Sequence, residues 1–183
     1  NHTLTSNVTG SINWTRASVT GITEPGTSGV DTISEVLTNV TTAPITVVYS
    51  ALLPANSAGC TGDPITFDVV VNPEPNVDQP ASQILCVGET LDVNFVTTNT
   101  GGVSGFTWIN DNSSIGLPLT GSGDILGVTV INTSPVSQVA TIVVTPTFDN
   151  EGVSCTGSPK TFTITINPAA QVNPISSEVV CNG

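Results

Sequence analysis

The chain has 183 residues, of which only two are basic, Arg16 and Lys160, against 14 acidic ones, for a net charge of -12. Such a surface repels phosphate backbones and anionic lipid headgroups, which argues against nucleic acid and against anionic membrane surfaces as partners. The 38% of hydrophobic residues are mostly Val, Ile and Leu set among Thr, Asn, Ser and Gly, a mixture that favours strands and turns over long helices. No apolar run reaches the roughly 18 residues of a membrane-crossing helix, so no membrane insertion is expected. The chain contains no Met and no charged-then-apolar leader, and reads as a piece of a longer secreted protein.

In chain order, "INWT" at 12–15 opens a strand in which Ile12 and Trp14 share a face, and a polar loop follows at 15–32, "TRASVTGITEPGTSGVDT". "TNVTTAPITVVY" at 38–49 runs from a turn into a β-branched strand. "GCTGDPITFDVVVNP" at 59–73 predicts a strand with Phe67, Val69 and Val71 inward, closed by the proline-bearing linker "NPEPNVDQP" at 72–80. Leu91, Val93 and Phe95 alternate with polar neighbours, as do Phe106 and Trp108. "NTGG" at 99–102, "NDNSS" at 110–114, "TGSG" at 120–123 and "DNEG" at 149–152 read as turns. The segments 125–131 and 139–145 are nearly continuous in apolar residues, which predicts deeply buried strands. In "SCTGSPKTFTITINP" at 154–168, Phe162, Ile164 and Ile166 alternate with Thr161, Thr163 and Thr165, and "NPAAQVNP" at 167–174 is a second linker.

The strands repeat. Eight of fifteen positions are identical between 59–73 and 154–168, Trp14 aligns with Trp108, and "VDQPASQILCVG" at 77–88 recurs as "VNPISSEVVCNG" at 172–183. A period of about 95 residues exceeds a solenoid unit and suits an autonomous β-sandwich with seven or so short strands. The expected organisation is a first repeat at 1–77 that is truncated at its start, a complete repeat at 78–172, and the first strand of a third at 173–183. Proline in both linkers predicts that successive domains string out as a semi-rigid rod.

Few residues look like chemistry. Four cysteines, two per repeat, read as disulfides: Cys86 with Cys155 if each module is self-sufficient, or Cys60 with Cys86 and Cys155 with Cys181 if the bonds straddle the junctions. The first pairing is preferred because a duplicating module carries both of its partners. Trp14, Trp108, Phe67 and Phe162 recur at equivalent positions and are expected in the core, Trp14 and Trp108 rather than serving as sugar-stacking platforms. The Asp- and Asn-rich turns match no spaced calcium loop, so no cofactor is expected, with calcium the one alternative. Asn-X-Ser/Thr triplets begin at Asn1, Asn7, Asn13, Asn39, Asn112 and Asn132, and arise by chance in a chain so rich in Asn and Thr. With His2 the only histidine and no nucleophile–base set, an enzyme is not expected.

"SCTGSPKTFTITINP", preceded by "FTWINDNSSIGLPLTGSGDI" and followed by "VVCNG", closely resembles the PKD-like repeats of giant cell-surface adhesins of the Bacteroidota, SprB-like gliding adhesins among them. The resemblance implies an all-β fold of tandem immunoglobulin-like (PKD-like) sandwiches, type IX secretion, an extracellular position on the cell surface, and a place in a long filament for gliding and attachment. Neighbouring repeats of the same chain are then the first partners. The alternative is a module that binds surface polysaccharide, or a docking segment for other cell-surface proteins. The loop 15–32 departs from the family pattern, and "DTI" at 31–33 resembles the Bacteroidota O-glycosylation signal, which would place a glycan on Thr32.

Overall fold

The computed structural model describes residues 2–6, 10–53 and 62–183. It is an all-β protein, 46% strand and 2% helical, of the immunoglobulin-like β-sandwich kind. The strands are β1 (His2–Thr3), β2 (Asn13–Arg16), β3 (Thr27–Val30), β4 (Thr32–Ile33), β5 (Ile45–Leu52), β6 (Ile65–Val71), β7 (Gln83–Cys86), β8 (Thr90–Val93), β9 (Val103–Asn110), β10 (Thr120–Ser122), β11 (Ile125–Thr129), β12 (Gln138–Asn150), β13 (Val153–Thr156) and β14 (Lys160–Asn167). A single 3-10 turn, Ser113–Ile115, interrupts them among the described residues.

The chain divides into two compact units. One comprises Asn1–Asp78 with Val96–Thr107 and Thr145–Pro159, and the other Gln79–Phe95 with Trp108–Val144 and Lys160–Gly183. In the first unit the sheet order is β3-β2-β5-β6, and a short β1-β4 pair accompanies it. β5 shows why the alternation matters: Val47, Tyr49 and Ala51 point into the core and the residues between them point out. With Ile12, Trp14, Ile22 and Ile33 they form one apolar cluster.

In the second unit β14 lies between β12, antiparallel to it, and β7, parallel to it. β8 pairs with β11, and Leu91, Val93, Phe95 and Ile125 are buried, as are Phe162, Ile164 and Ile166 of β14. The Phe95 and Phe162 rings meet edge to face at 6.2 Å.

The two copies are the same ladder written twice. β5 and β6 pair Ile45 with Val71, Val47 with Val69 and Tyr49 with Phe67; β12 and β14 pair Gln138 with Ile166, Ala140 with Ile164 and Ile142 with Phe162. In each copy a glycine on the neighbouring strand lies under the tryptophan: a Cβ on Gly29 would fall 2.6 Å from the Trp14 ring, and one on Gly121 would overlap Trp108.

That packing corrects the reading of "TGSG" at 120–123 as a turn, since Thr120–Ser122 is a strand whose glycine is there to admit an indole. The apolar segments 125–131 and 139–145 are also not buried on both faces. Leu126, Ile131 and Val139 are 57%, 46% and 52% exposed, because β11 pairs only with β8 and β12 alternates inward and outward along its length.

β6 departs furthest from expectation. Phe67 and Val71 are half-buried and Val69 is 37% exposed, whereas their counterparts Phe162, Ile164 and Ile166 are 3%, 0% and 0% exposed. The cause is topological: β6 ends its sheet, while β14 has a strand on both sides.

Candidate functional site

Alternation along β2 that sends Trp14 inward sends Arg16 inward two residues later, and its side chain is wholly covered. A lone guanidinium cannot stay there without partners. Its Nη2 and Nε donate to the two carboxylate oxygens of Glu35 at 2.8 and 3.1 Å, a paired fork. The remaining donors reach the carbonyls of Pro25 (2.7 Å), Ala17 (3.3 Å) and Glu24 (3.4 Å). The Tyr49 hydroxyl donates to Glu35 Oε2 at 2.6 Å. The Arg16 hydrogen bond holds the Glu35 carboxyl below its ordinary range, while burial, with the Glu35 contact added, pushes Tyr49 up to about 12.

Asn110 stands at the same place in the second copy, two residues after Trp108. Its amide donates to the carbonyls of Asn112, Leu117 and Pro118 at 3.0 to 3.2 Å. Both side chains do one job, satisfying the inward carbonyls of the loop that follows. The first copy's longer loop needs more donors, and arginine has five where asparagine has two. This accounts for the departing segment 15–32: it contains no aromatic residue, and its arginine serves the interior.

Beside β6 lies a cavity of about 750 Å³ within the first unit, lined by Ile33, Leu37, Tyr49, Phe67, Val69 and Val71 among others. Its floor is aromatic: Tyr49 and Phe67 stack at 5.2 Å, and the His2 ring lies 5.8 Å from Phe67. Val69 and Val70 at its rim are 37% and 46% exposed. This trough lies along an edge of β6 that pairs with no strand among the described residues, and Val153 and Cys155 of β13 border it as well. His2, Glu35, Asp68 and Cys155 also line it, with the Glu35 carboxylate already held by Tyr49 and Arg16.

The residues singled out from sequence fall as follows. Trp14 and Trp108 are buried, at 5% and 7% exposure, so neither offers a stacking face. The Trp14 indole donates to the Thr32 carbonyl at 3.1 Å, whereas the equally buried Trp108 Nε1 has no partner among the described residues. The Thr32 side chain is exposed on β4. Cys86, Cys155 and Cys181 are free thiols, and Cys60 lies outside the described residues.

The acidic turns spend their oxygens on backbone: Asp111 accepts from Thr141 N at 2.7 Å and Asp124 from Phe95 N at 2.8 Å. The Thr141 contact also lowers the Asp111 carboxyl. Among the described residues no three His, Cys, Asp or Glu side chains converge on a metal-sized site.

Sequence reasoning missed Arg16, Glu35 and Tyr49 as a unit, and it also missed a duplicated amide staple. Asn39 donates to the carbonyls of Ala43 and Val71, both at 2.8 Å, and accepts from Thr41 N. Asn132 likewise donates to Val136 and Ile166 and accepts from Ser134 N. Both are 8% exposed and tie a loop to the last strand of their copy. The triplets "NVT" and "NTS" are therefore Asx turns with a buried amide. The signal was present in their recurrence just before the fifth and twelfth strands.

The linker residues Pro73, Pro75 and Val77 are buried; Asn76 N donates to Asn99 Oδ1 at 2.8 Å, Asn99 Nδ2 to the Glu74 carbonyl at 3.1 Å, and Thr98 N to Asn76 Oδ1 at 3.0 Å. Gly157 lies against the Pro75 carbonyl, where a Cβ would not fit.

The sheet topology, the core tryptophans and the trough define a pair of β-sandwich domains of the immunoglobulin-like class. The chain matches the PKD-like domain family over residues 1–75 and again over 83–170, and it belongs to that family. It is similar to the FN1–FN3 domains of chicken CNTN1, with 14% identity, a TM-score of 0.34, and 92% of this chain covered. It is also similar to the immunoglobulin domains 1–5 of Sidekick-1, with 12% identity, a TM-score of 0.31, and 86% of this chain covered. The chain spans 61% and 33% of the lengths of those two structures. No curated protein matches it. Domains of this kind are typical of extracellular repeat or adhesion-type modules, and are typically structural rather than catalytic. No helix among the described residues is long and apolar enough to cross a membrane.

Proposed function

We propose that this chain is a structural segment of a very large secreted adhesin filament on the cell surface, similar to the SprB-like adhesins of the Bacteroidota, and that it serves reach and mechanical continuity in gliding and attachment. The observation that carries the reading is the duplication itself: two PKD-like copies share a ladder register, a Trp–Gly packing and an asparagine staple. Repetition of that depth conserves a module and no particular pocket.

In this reading the organisation is 1–77, 78–172 and 173–183, the export route is type IX secretion, and Thr32 carries a glycan; the pairing of Cys86 with Cys155 is not retained, because Cys86 stands opposite Asn167 at the Gln138 end of β12 and Cys155 opposite Phe148 at its other end, out of reach of a disulfide. Intact mass of natively purified protein tests the glycan. The function is tested on cells: antibody raised against this chain labels intact cells of the source bacterium and arrests gliding. No labelling of unpermeabilised cells, or normal gliding after deletion of the gene, contradicts the proposal.

A docking role is the second reading, ahead of polysaccharide binding, since the loop 15–32 offers no aromatic platform.

A further inference from the structure

The motif "CTG" occurs at 60–62 and again at 155–157, and neither the core nor the strand ladder accounts for the glycine of its second occurrence. Gly157 is not in the left-handed region, so its backbone does not call for glycine. What calls for it is the Pro75 carbonyl, which occupies the space a Cβ would take. The Gly157 amide meanwhile donates to the Pro146 carbonyl at 3.0 Å, which pins the turn after β13.

The same linker is held from other sides, entirely within the first compact unit. Pro75 has no N–H of its own, so the polar groups to be satisfied are those of its neighbours. One side chain serves both: Asn99 donates from Nδ2 to the Glu74 carbonyl at 3.1 Å and accepts at Oδ1 from Asn76 N at 2.8 Å, pairing residues 74 and 76 as a neighbouring strand would. Asn76 in turn accepts at its own Oδ1 from Thr98 N at 3.0 Å. Asn150 Nδ2 donates to Asn72 Oδ1 at 2.8 Å, and Thr100 N donates to the Thr42 carbonyl at 2.8 Å. A segment with this many partners, and with Pro73, Pro75 and Val77 buried, is a bound segment rather than a tether.

We propose that Asn99, Asn150 and the turn at Gly157 form a binding site in cis for the extended, proline-bearing segment 72–76, and that occupation of this site couples the stability of the first copy to that of the second. Asn99, Asn150 and Gly157 all belong to the second repeat by sequence, and the segment they hold is the chain that leaves β6 of the first. Loss of the site therefore costs the first copy the fixed end of its last strand, although no residue of the site lies in that copy. The sequence repeats are then not independent folding units but neighbours whose stabilities are linked by the contribution of their interface. The proposal stands apart from the adhesin reading, because it requires only contacts within one compact unit.

The test uses the full chain in urea, with Trp14 fluorescence read in a W108F background and Trp108 fluorescence in W14F. Asn99→Ala removes both bonds to the linker and adds no bulk, and Gly157→Ala sets a methyl where the Pro75 carbonyl lies. Each should lower the Trp14 midpoint, although each changes only the second repeat. In the parent chain the Asn76 amide should be protected from hydrogen exchange, and in Asn99→Ala it should exchange about tenfold faster or more. Asn99→Ala carries the test alone if the overlap in Gly157→Ala prevents folding. A Trp14 midpoint that stays at the parent value in Asn99→Ala, whether or not the Trp108 midpoint falls, or a parent Asn76 amide that exchanges like an exposed loop amide, would overturn the proposal.

Discussion

β6 and β14 are close to the same sentence, pair in the same register with their hairpin neighbours, and end at the same Asn-Pro. Yet Ile164 is fully buried and its counterpart Val69 is 37% exposed. The difference shows that alternation sets which way a side chain points, while the neighbouring strand decides whether anything covers it. A fully covered aliphatic side chain contributes about 1.5–3 kcal/mol over an exposed one, so β14 anchors its copy far better than β6 does.

The sharpest way to break the parallel is at the residue two after each tryptophan. Arg16→Ala should destabilise the first copy by about 3–5 kcal/mol, because it leaves Glu35 charged and three loop carbonyls unpaired. Asn110→Ala should cost the second copy less, about 1–3 kcal/mol, since only a neutral amide is lost. Urea unfolding followed by Trp14 fluorescence in a W108F background, and by Trp108 fluorescence in W14F, reads each copy separately. An equal cost in both copies would mean that the buried ion pair does not organise the longer loop.

Next come the glycines under the indoles. Gly121→Ala and Gly29→Ala should each cost about 1–3 kcal/mol, with Gly121 the worse because its added methyl overlaps the ring more deeply. Thermal unfolding of both variants checks the order.

Much of this was legible in the chain. Period-2 alternation located the strands around Trp14, Phe95, Trp108 and Phe162, and the 95-residue repeat announced two similar modules. What stayed hidden were features that depend on a neighbour. "TGSG" spells a turn by composition and becomes a strand because Trp108 needs a surface without a Cβ. Arg16 looked like one of two scattered cations because Glu35 and Tyr49 are distant in sequence and meet only through sheet pairing. The asparagines of "NVT" and "NTS" looked like chance triplets because their acceptors, the Val71 and Ile166 carbonyls, lie more than thirty residues away.

Smaller effects sharpen the comparison further. Trp14→Phe should cost about 1 kcal/mol more than Trp108→Phe, since the first loses the bond to the Thr32 carbonyl and the second removes an N–H that has no partner. Differential unfolding of the two variants measures it.

Finally, pH should act on the two copies differently: both have a carboxyl held below its ordinary value, Glu35 in the first and Asp111 in the second, and only the first has a raised tyrosine. Glu35 is held below its ordinary 4.5, so its contribution is intact above that value and is lost as pH falls through the lower folded value. Tyr49 is pushed up from 10.0 to about 12, so its contribution is intact below 10 and is lost as pH rises toward 12. Trp14 fluorescence in W108F should report both losses, and Trp108 fluorescence in W14F only an acid-side loss, as Asp111 protonates and releases the Thr141 amide.

The central claim is that the two copies share one ladder and differ in whether the last strand is covered. Amide hydrogen exchange at a concentration where the chain is monomeric tests it directly. The account predicts that amides throughout Phe162–Ile166 are protected, whereas every second amide of Phe67–Val71, those facing the open edge, exchanges orders of magnitude faster. Uniform protection along β6 equal to that of β14 would contradict it.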